Sequence, residues 1–230
     1  MTRPHRPTEG FPSHLRALAE RFPYERSLAE DPLSCVRPYR RDPRAAEIAG
    51  IFASTLAIGN TTSIRRAIGR LEADCGGDLA RWVEGIGPKT WRTSVAGFRH
   101  RWIRGDQMGY LAYRLHETYA TSDSFEEVYR NGRAFAGDFS GGIAAIARAL
   151  RSPPTGRRTA PPGYDRLFPD PLGRSRSACK RITLFVRWMV RREAPDLGLW
   201  TRVDPGELRI PLDQHVYWIA YHLGLTQRKS

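Results

Sequence analysis

Amines are scarce in this 230-residue chain. Of its 37 basic residues only three are lysine, so chemistry that needs an amine nucleophile has three side chains to draw on: Lys89 in GIGPKTW, Lys180 in SACKRITLF and Lys229 in TQRKS. A lysine attacks only as the free amine, and at an ordinary pKa of about 10.4 almost none of it is free near neutrality. Burial and neighbouring positive charge release the proton. Arg174, Arg176, Arg181 and Arg187 lie around Lys180 along the chain. They would supply like-charge neighbours and bind phosphate; a solvated basic face is the plainer use of the same residues. An acid partner stands in IPLDQHVYWIAYHLGL, where Asp213 precedes an amphipathic run and is placed to cap a helix. A carboxylate that accepts N–H bonds at a helix start stays ionised. Such a fixed charge stabilises positive charge developing in a transition state and helps activate a nucleophile. Capping alone also accounts for Asp213, and a lysine at a helix start is most simply a solvated one.

The elements that must hold these residues are helical. FPSHLRALAERF suggests a short first helix. In RRDPRAAEIAGIFASTLAIGN, Asp42 caps, Pro43 suits the first turn, Ile48, Ile51, Phe52 and Leu56 recur at helical spacing, and Gly59 ends the run. TTSIRRAIGRLEADC follows, with Ile64, Ile68 and Leu71 on one face, and then GDQMGYLAYRLHETYA. Ser124 to Glu127, SFEE, reads as a capping box for the next helix, and FSGGIAAIARAL continues the pattern. Six prolines exclude a continuous helix from residues 152–173. SRSACKRITLFVRWMVRRE then predicts a helix with its apolar face through Ile182, Phe185, Met189 and Val190. The last helix is expected from about Gln214 to Leu223, with Gly224 as its stop. Strand alternation is slight. The organisation expected is an all-α chain with a loose tail at 1–12, a first helical part at 13–151, a proline-rich connection at 152–173 and a helical part with the lysine and aspartate at 174–230.

Composition narrows the partners. A net charge of +13 favours a polyanion, nucleic acid above all, although the arginine excess also fits a GC-rich genome. No apolar run is long enough to span a bilayer, and MTRPHRPTEGF lacks the apolar core of a secretion signal. Cys35, Cys75 and Cys179 form no metal or iron–sulfur spacing, so no metal or cofactor is implied and a cytoplasmic protein with reduced thiols is expected.

Two resemblances sharpen this. GIGPKTW, with Gly85, Gly87 and Lys89, looks like the hairpin of a helix-hairpin-helix, which grips a nucleic-acid phosphate. IPLDQHV…HLGL resembles the V-D-T-H-V…R-L-G-L segment of helix-hairpin-helix DNA glycosylases, in which the aspartate caps a helix beside a flipped-out nucleotide and a lysine shortly before it is the nucleophile. Lys89 lies 124 residues before Asp213, and Lys180 lies 33 before it. Asp106 is nearer to Lys89 but lacks the apolar-Asp-x-His context. The order of Lys180 and Asp213 is the glycosylase order, and its spacing is similar to that of the archaeal 8-oxoguanine glycosylases, whose connection is extended. SACKRITLFVRWMVR, DLGLW, PLDQHV and LGL also resemble a bacterial family catalogued as domain of unknown function 2400, and the likeness runs from DPLSCVRPYRRDPRAAEIAGIFAS at 31–54 onward. Gln214 stands where a small or apolar residue is usual. That family continues past LGLTQRKS, so a further C-terminal helix or two is expected.

The resemblance implies a helix-hairpin-helix glycosylase-like fold, two helical parts around a cleft, and excision of an oxidised purine such as 8-oxoguanine from damaged duplex DNA. Lys180 would attack the sugar and Asp213 would stabilise the charge. Trp188, Trp218 and His215 are candidates for the base pocket, as is Trp200, although core packing explains a tryptophan at helical spacing equally well. Two other classes remain: a non-catalytic nucleic-acid-binding protein on the same scaffold, and a basic helical adaptor for an acidic protein.

Overall fold

Asp42, Asn60, Asp78 and Ser124 each end one chain segment and open a helix. Each side chain accepts the N–H three residues on, at 3.0, 2.8, 3.0 and 3.2 Å. In the computed structural model, which describes residues 11–151, 160–173 and 177–227, these caps begin α3 (Pro43–Thr55), α4 (Thr61–Asp74), α5 (Leu79–Gly85) and α7 (Phe125–Ala136). Before them run α1 (Phe11–Arg21) and α2 (Tyr24–Glu30); α6 (Gly105–Tyr119), α8 (Phe139–Arg151), α9 (Lys180–Val190) and α10 (Gln214–His222) complete the set. The protein is mostly helical. The expected helices are present, with α3 stopping at Thr55 and Gly59 taking a left-handed φ of +107°. Elements not anticipated are, among the described residues, the seven-residue helices α2 and α5, four short 3-10 turns, and a hairpin of β1 (Arg99–His100) and β2 (Ile103–Arg104) paired Arg99↔Arg104. A two-residue strand has no alternation to read.

The core is organised by a carboxylate. Glu47, on α3 and 3% exposed, sits among buried alanines and isoleucines. It accepts from Trp200 Nε1 at 2.7 Å, Tyr119 Oη at 2.8 Å, and the N–H groups of Phe125 and Glu126 at 2.9 and 3.3 Å. Burial pushes this carboxyl up and the four donors pull it back. Glu47 thus satisfies the first two N–H groups of α7, and Ser124 takes the third. The expected capping box is half made, since Glu127 bonds the N–H of Asp123 at 3.0 Å rather than that of Ser124. Elsewhere the backbone itself packs closely. A Cβ on Gly105 or Gly109 would lie 1.9 Å from the carbonyl oxygen of Val95 or Trp91, so α6 seats the 91–97 turns against a glycine face.

The core runs across the proline-rich connection. Tyr164, Leu167 and Phe168 belong to it, as does α9. Arg114 donates twice to the Ala149 carbonyl, at 3.2 and 2.8 Å, and Tyr164 donates to Leu150 at 3.1 Å, which satisfies the end of α8. Helix α9 lies on α3 where Gly50 leaves room: a Cβ there would be 2.8 Å from Met189 Cε. Its last carbonyls are taken by the returning chain, Leu197 N to Trp188 O and Trp200 N to Met189 O, both at 2.8 Å. That return is then pinned along α7 and α8. Glu126 accepts the Arg202 N–H at 2.7 Å, Glu207 pairs with Arg133, and Arg209 lies 3.6 Å from Asp138. Residues 210–213 arrive beside the start of α9.

Candidate active site at two helix starts

Lys180 is the first residue of α9, and Asp213 is the N-cap of α10. The two helix starts face each other, with Lys180 Nζ 3.1 Å from Asp213 Oδ2. The other carboxylate oxygen accepts the Val216 N–H at 2.9 Å, so one residue caps its helix and holds the lysine. Partial burial raises the Asp213 carboxyl; the N–H of Val216, the ammonium of Lys180 and the N–H of His215 outweigh it and hold the group below the ordinary aspartate value. The side chains of the pair are 37% and 31% exposed. Residue 179 has a left-handed backbone, φ +50°, which is uncommon for a residue with a β-carbon. Cys179 is fixed there by its N–H to Ser177 Oγ at 3.2 Å and its Sγ to the Pro169 carbonyl at 3.2 Å. Burial pushes its thiol up to about 11, so it is not a thiolate nucleophile near neutrality.

Two cavities adjoin the start of α9: Lys180 lines the first, and Leu212, the neighbour of Asp213, lines the second. One, of about 380 Å³, is lined by Gly59, Leu167, Arg166, Cys179, Lys180 and Arg181 among others, and all of its charged lining residues are basic. The second, of about 250 Å³, is mostly apolar, with Phe139, Ile143, Ile210 and Leu212 in its wall and the hydroxyls of Ser140 and Thr183 beside them. Cys179, next to Lys180, borders both.

The family model for protein of unknown function DUF2400 matches residues 31–230. The chain belongs to that family. No curated protein and no solved structure matches it. Arg187 is not at the lysine: it makes two bonds, 3.1 and 3.0 Å, to Asp196, whose side chain is fully buried. Arg181 donates to the carbonyls of Arg166 and Leu167 at 3.3 and 3.1 Å. The charge that the Lys180 amine meets is therefore an aspartate, and the like-charge crowding anticipated from Arg187 is absent because a buried carboxylate claims that guanidinium. Arg174, Arg176 and Lys229 lie outside the described residues.

Trp188 is 1% exposed and packs in the core, with no ring face open to a base. Trp200 is 2% exposed and bonded to Glu47. Trp218 is 39% exposed on α10 and stacks with His222, ring centres 5.9 Å apart; His215 is exposed near the start of the same helix. Gly85 closes α5, and Gly87 to Thr90 form a tight turn in which the Gly87 N–H is taken by Thr90 Oγ1 at 3.0 Å. That bond removes a donor a phosphate would use. Lys89 is exposed on this turn, and Asp106 pairs with Arg104 at 3.0 Å. Among the described residues no helix is long and apolar enough to cross a membrane, and no group of three or more His, Cys, Asp or Glu is placed to hold a metal ion. The sequence reading missed Arg166, Ser140 and Thr183, which only the fold brings to the site; nothing in their spacing marks them.

Proposed function

We propose that this protein is a DNA base-excision glycosylase with AP lyase activity on a helix-hairpin-helix glycosylase-like scaffold, acting on an oxidised purine with 8-oxoguanine the leading substrate. The observation that carries the proposal is the Lys180–Asp213 pair, 3.1 Å apart at two converging helix starts. The damaged nucleotide leaves the duplex. Its base enters the apolar cavity, where the Ser140 and Thr183 hydroxyls offer hydrogen bonds, and its phosphates lie towards the basic one. The sugar then stands between the cavities, at the pair.

In the free protein the amine is held in an ion pair, the form that does not attack. DNA closing over the pair removes water and disfavours two separate charges, so the proton passes from Lys180 towards Asp213. The amine lone pair forms a bond to C1′, the C1′–N bond of the base breaks, and the base leaves with that electron pair and takes up a proton. That proton comes from Asp213, whose carboxylate is thereby ionised again and stabilises the positive charge on the sugar. Opening of the sugar ring places the C1′–O4′ electrons on O4′, which is protonated, and leaves a Schiff base on Lys180. Loss of a C2′ proton then expels the 3′ phosphate.

Borohydride reduces such a Schiff base to a stable amine, so it traps protein on DNA. Trapping is to be measured over a panel of lesions with wild type, Lys180→Gln and Lys89→Gln. The expected result is a trapped complex for wild type and Lys89→Gln and none for Lys180→Gln. The reverse pattern transfers the chemistry to GIGPKTW. No trapped complex with any lesion, together with salt-dependent DNA binding, would support the binding-only reading, which the resting ion pair favours.

A further inference from the structure

The β1–β2 hairpin is built outward from two buried roots. His100 is 7% exposed and its Nε2 donates to the Ile58 carbonyl at 3.1 Å; Ile103 is fully buried. Between them the chain turns in two residues, and both point away from the core. Arg101 holds φ +55°, a conformation sparsely populated by residues with a β-carbon, and Trp102 is 44% exposed. A two-residue hairpin turn itself calls for a positive φ at its first residue; the exposed indole at so firmly rooted a tip is what packing does not account for. The tip also reaches the basic cavity. A Cβ on Gly59, in the cavity wall, would lie 2.7 Å from Arg101 Nη2, so the Arg101 guanidinium passes over that wall. From the cavity side, the Arg181 guanidinium sits 5.3 Å from the centre of the Trp102 ring. Arg181 is itself tied to two backbone carbonyls, so it is a fixed support beneath the indole.

We propose that the Arg99–Arg104 hairpin is a nucleic-acid reading element, in which Trp102 stacks on an unpaired base at the mouth of the basic cavity while Arg101 and Arg166 meet the flanking phosphates. This rests on the nucleic-acid reading above and names the feature of the DNA that the protein selects: a base already out of its pair. An aromatic platform backed by a guanidinium accepts any base, because every base has a π face. Arginines alone would serve an acidic peptide, whereas a nucleic acid offers a π face at every residue to the indole and a phosphate at every residue to the arginines.

The test uses the full chain as wild type, Trp102→Phe, Trp102→Leu and Arg101→Ala. Binding is followed by fluorescence anisotropy on a fully paired duplex and on the same duplex with one unpaired adenine, over a range of salt. Wild type and Trp102→Phe are expected to prefer the unpaired duplex. Trp102→Leu, which keeps apolar bulk without a π face, should lose about tenfold on that duplex and little on the paired one, with its salt slope unchanged. Arg101→Ala should weaken both duplexes alike and reduce the salt slope by about 0.9. With wild type, 2-aminopurine at the unpaired position should lose fluorescence as it stacks. No preference in wild type, an unchanged 2-aminopurine signal, or a Trp102→Leu protein that keeps the preference overturns the hairpin proposal while leaving the glycosylase reading in place. Binding to neither duplex, or binding insensitive to salt, removes both; tight salt-dependent binding to polyglutamate in that case identifies an adaptor for acidic protein.

Discussion

Asp213 serves two ends, and two substitutions separate them. Asparagine keeps a side-chain oxygen for the Val216 N–H and removes the charge 3.1 Å from Lys180. Asparagine caps as well as aspartate does. The ion pair, with side chains 37% and 31% exposed, contributes about 0–1 kcal/mol. Asp213→Asn should therefore cost α10 at most about 1 kcal/mol, roughly a fivefold rise in its opening. Asp213→Ala loses the cap as well, typically about 1 kcal/mol more. Because α10 buries none of its residues, these costs fall on local opening of α10, and the global melting temperature should hardly move. The assay is amide hydrogen exchange of the peptide covering α10, run beside borohydride trapping. Asparagine should leave exchange within about fivefold of wild type and abolish trapping; alanine should raise exchange further and abolish trapping too. The carboxyl is held below its ordinary value, so the opened helix binds a proton more readily than the folded one. The protection is fully present above about pH 4 and is lost as pH falls through the lowered pKa. Trapping by Asp213→Asn at the wild-type rate would refute the catalytic argument, and unchanged exchange in Asp213→Ala would refute the capping argument.

The remaining predictions concern the frame around the site. Glu47→Ala strands Trp200 Nε1, Tyr119 Oη and two N–H groups of α7; denaturant unfolding should show a loss of about 3 kcal/mol or more. Gly109→Ala drives a Cβ to 1.9 Å from the Trp91 carbonyl and should destabilise by about 1–3 kcal/mol. Gly69→Ala in α4 meets nothing within 4 Å and should stabilise by about 0.5–1 kcal/mol in the same unfolding measurement. Arg187→Ala uncovers the fully buried Asp196 side chain, with Arg191 3.6 Å away as its remaining partner. It should cost about 2–3 kcal/mol in denaturant unfolding while leaving the salt slope of DNA binding as it was, since that arginine is spoken for within the fold.

Some of this could be read from the chain because its cause is local. Asp42 and Pro43 start α3, Asp213 starts α10 and Gly224 follows its end with φ +71°, since capping and turning are settled within three or four residues. The scarcity of lysine left three candidate amines, the order of Lys180 and then Asp213 favoured one of them, and 33 residues between the two allow a helix and a return. What each side chain meets was not local. Arg181 and Arg187 look alike in the sequence, yet one supports Trp102 and the other is claimed by Asp196, according to which way α9 turns on α3. Glu47 reads as an acid set into an apolar helix, a signal that donors must exist, but the donors come from as far as Trp200, 153 residues on. The hairpin at 99–104 was invisible because four paired residues carry no period, and its Trp102 gains a role only when His100 anchors the tip to the Ile58 carbonyl. Caps and periodicity act through neighbouring backbone; a buried carboxylate chooses its partners through space, so only the folded chain could decide which arginines line the cavity of Lys180 and which are claimed elsewhere.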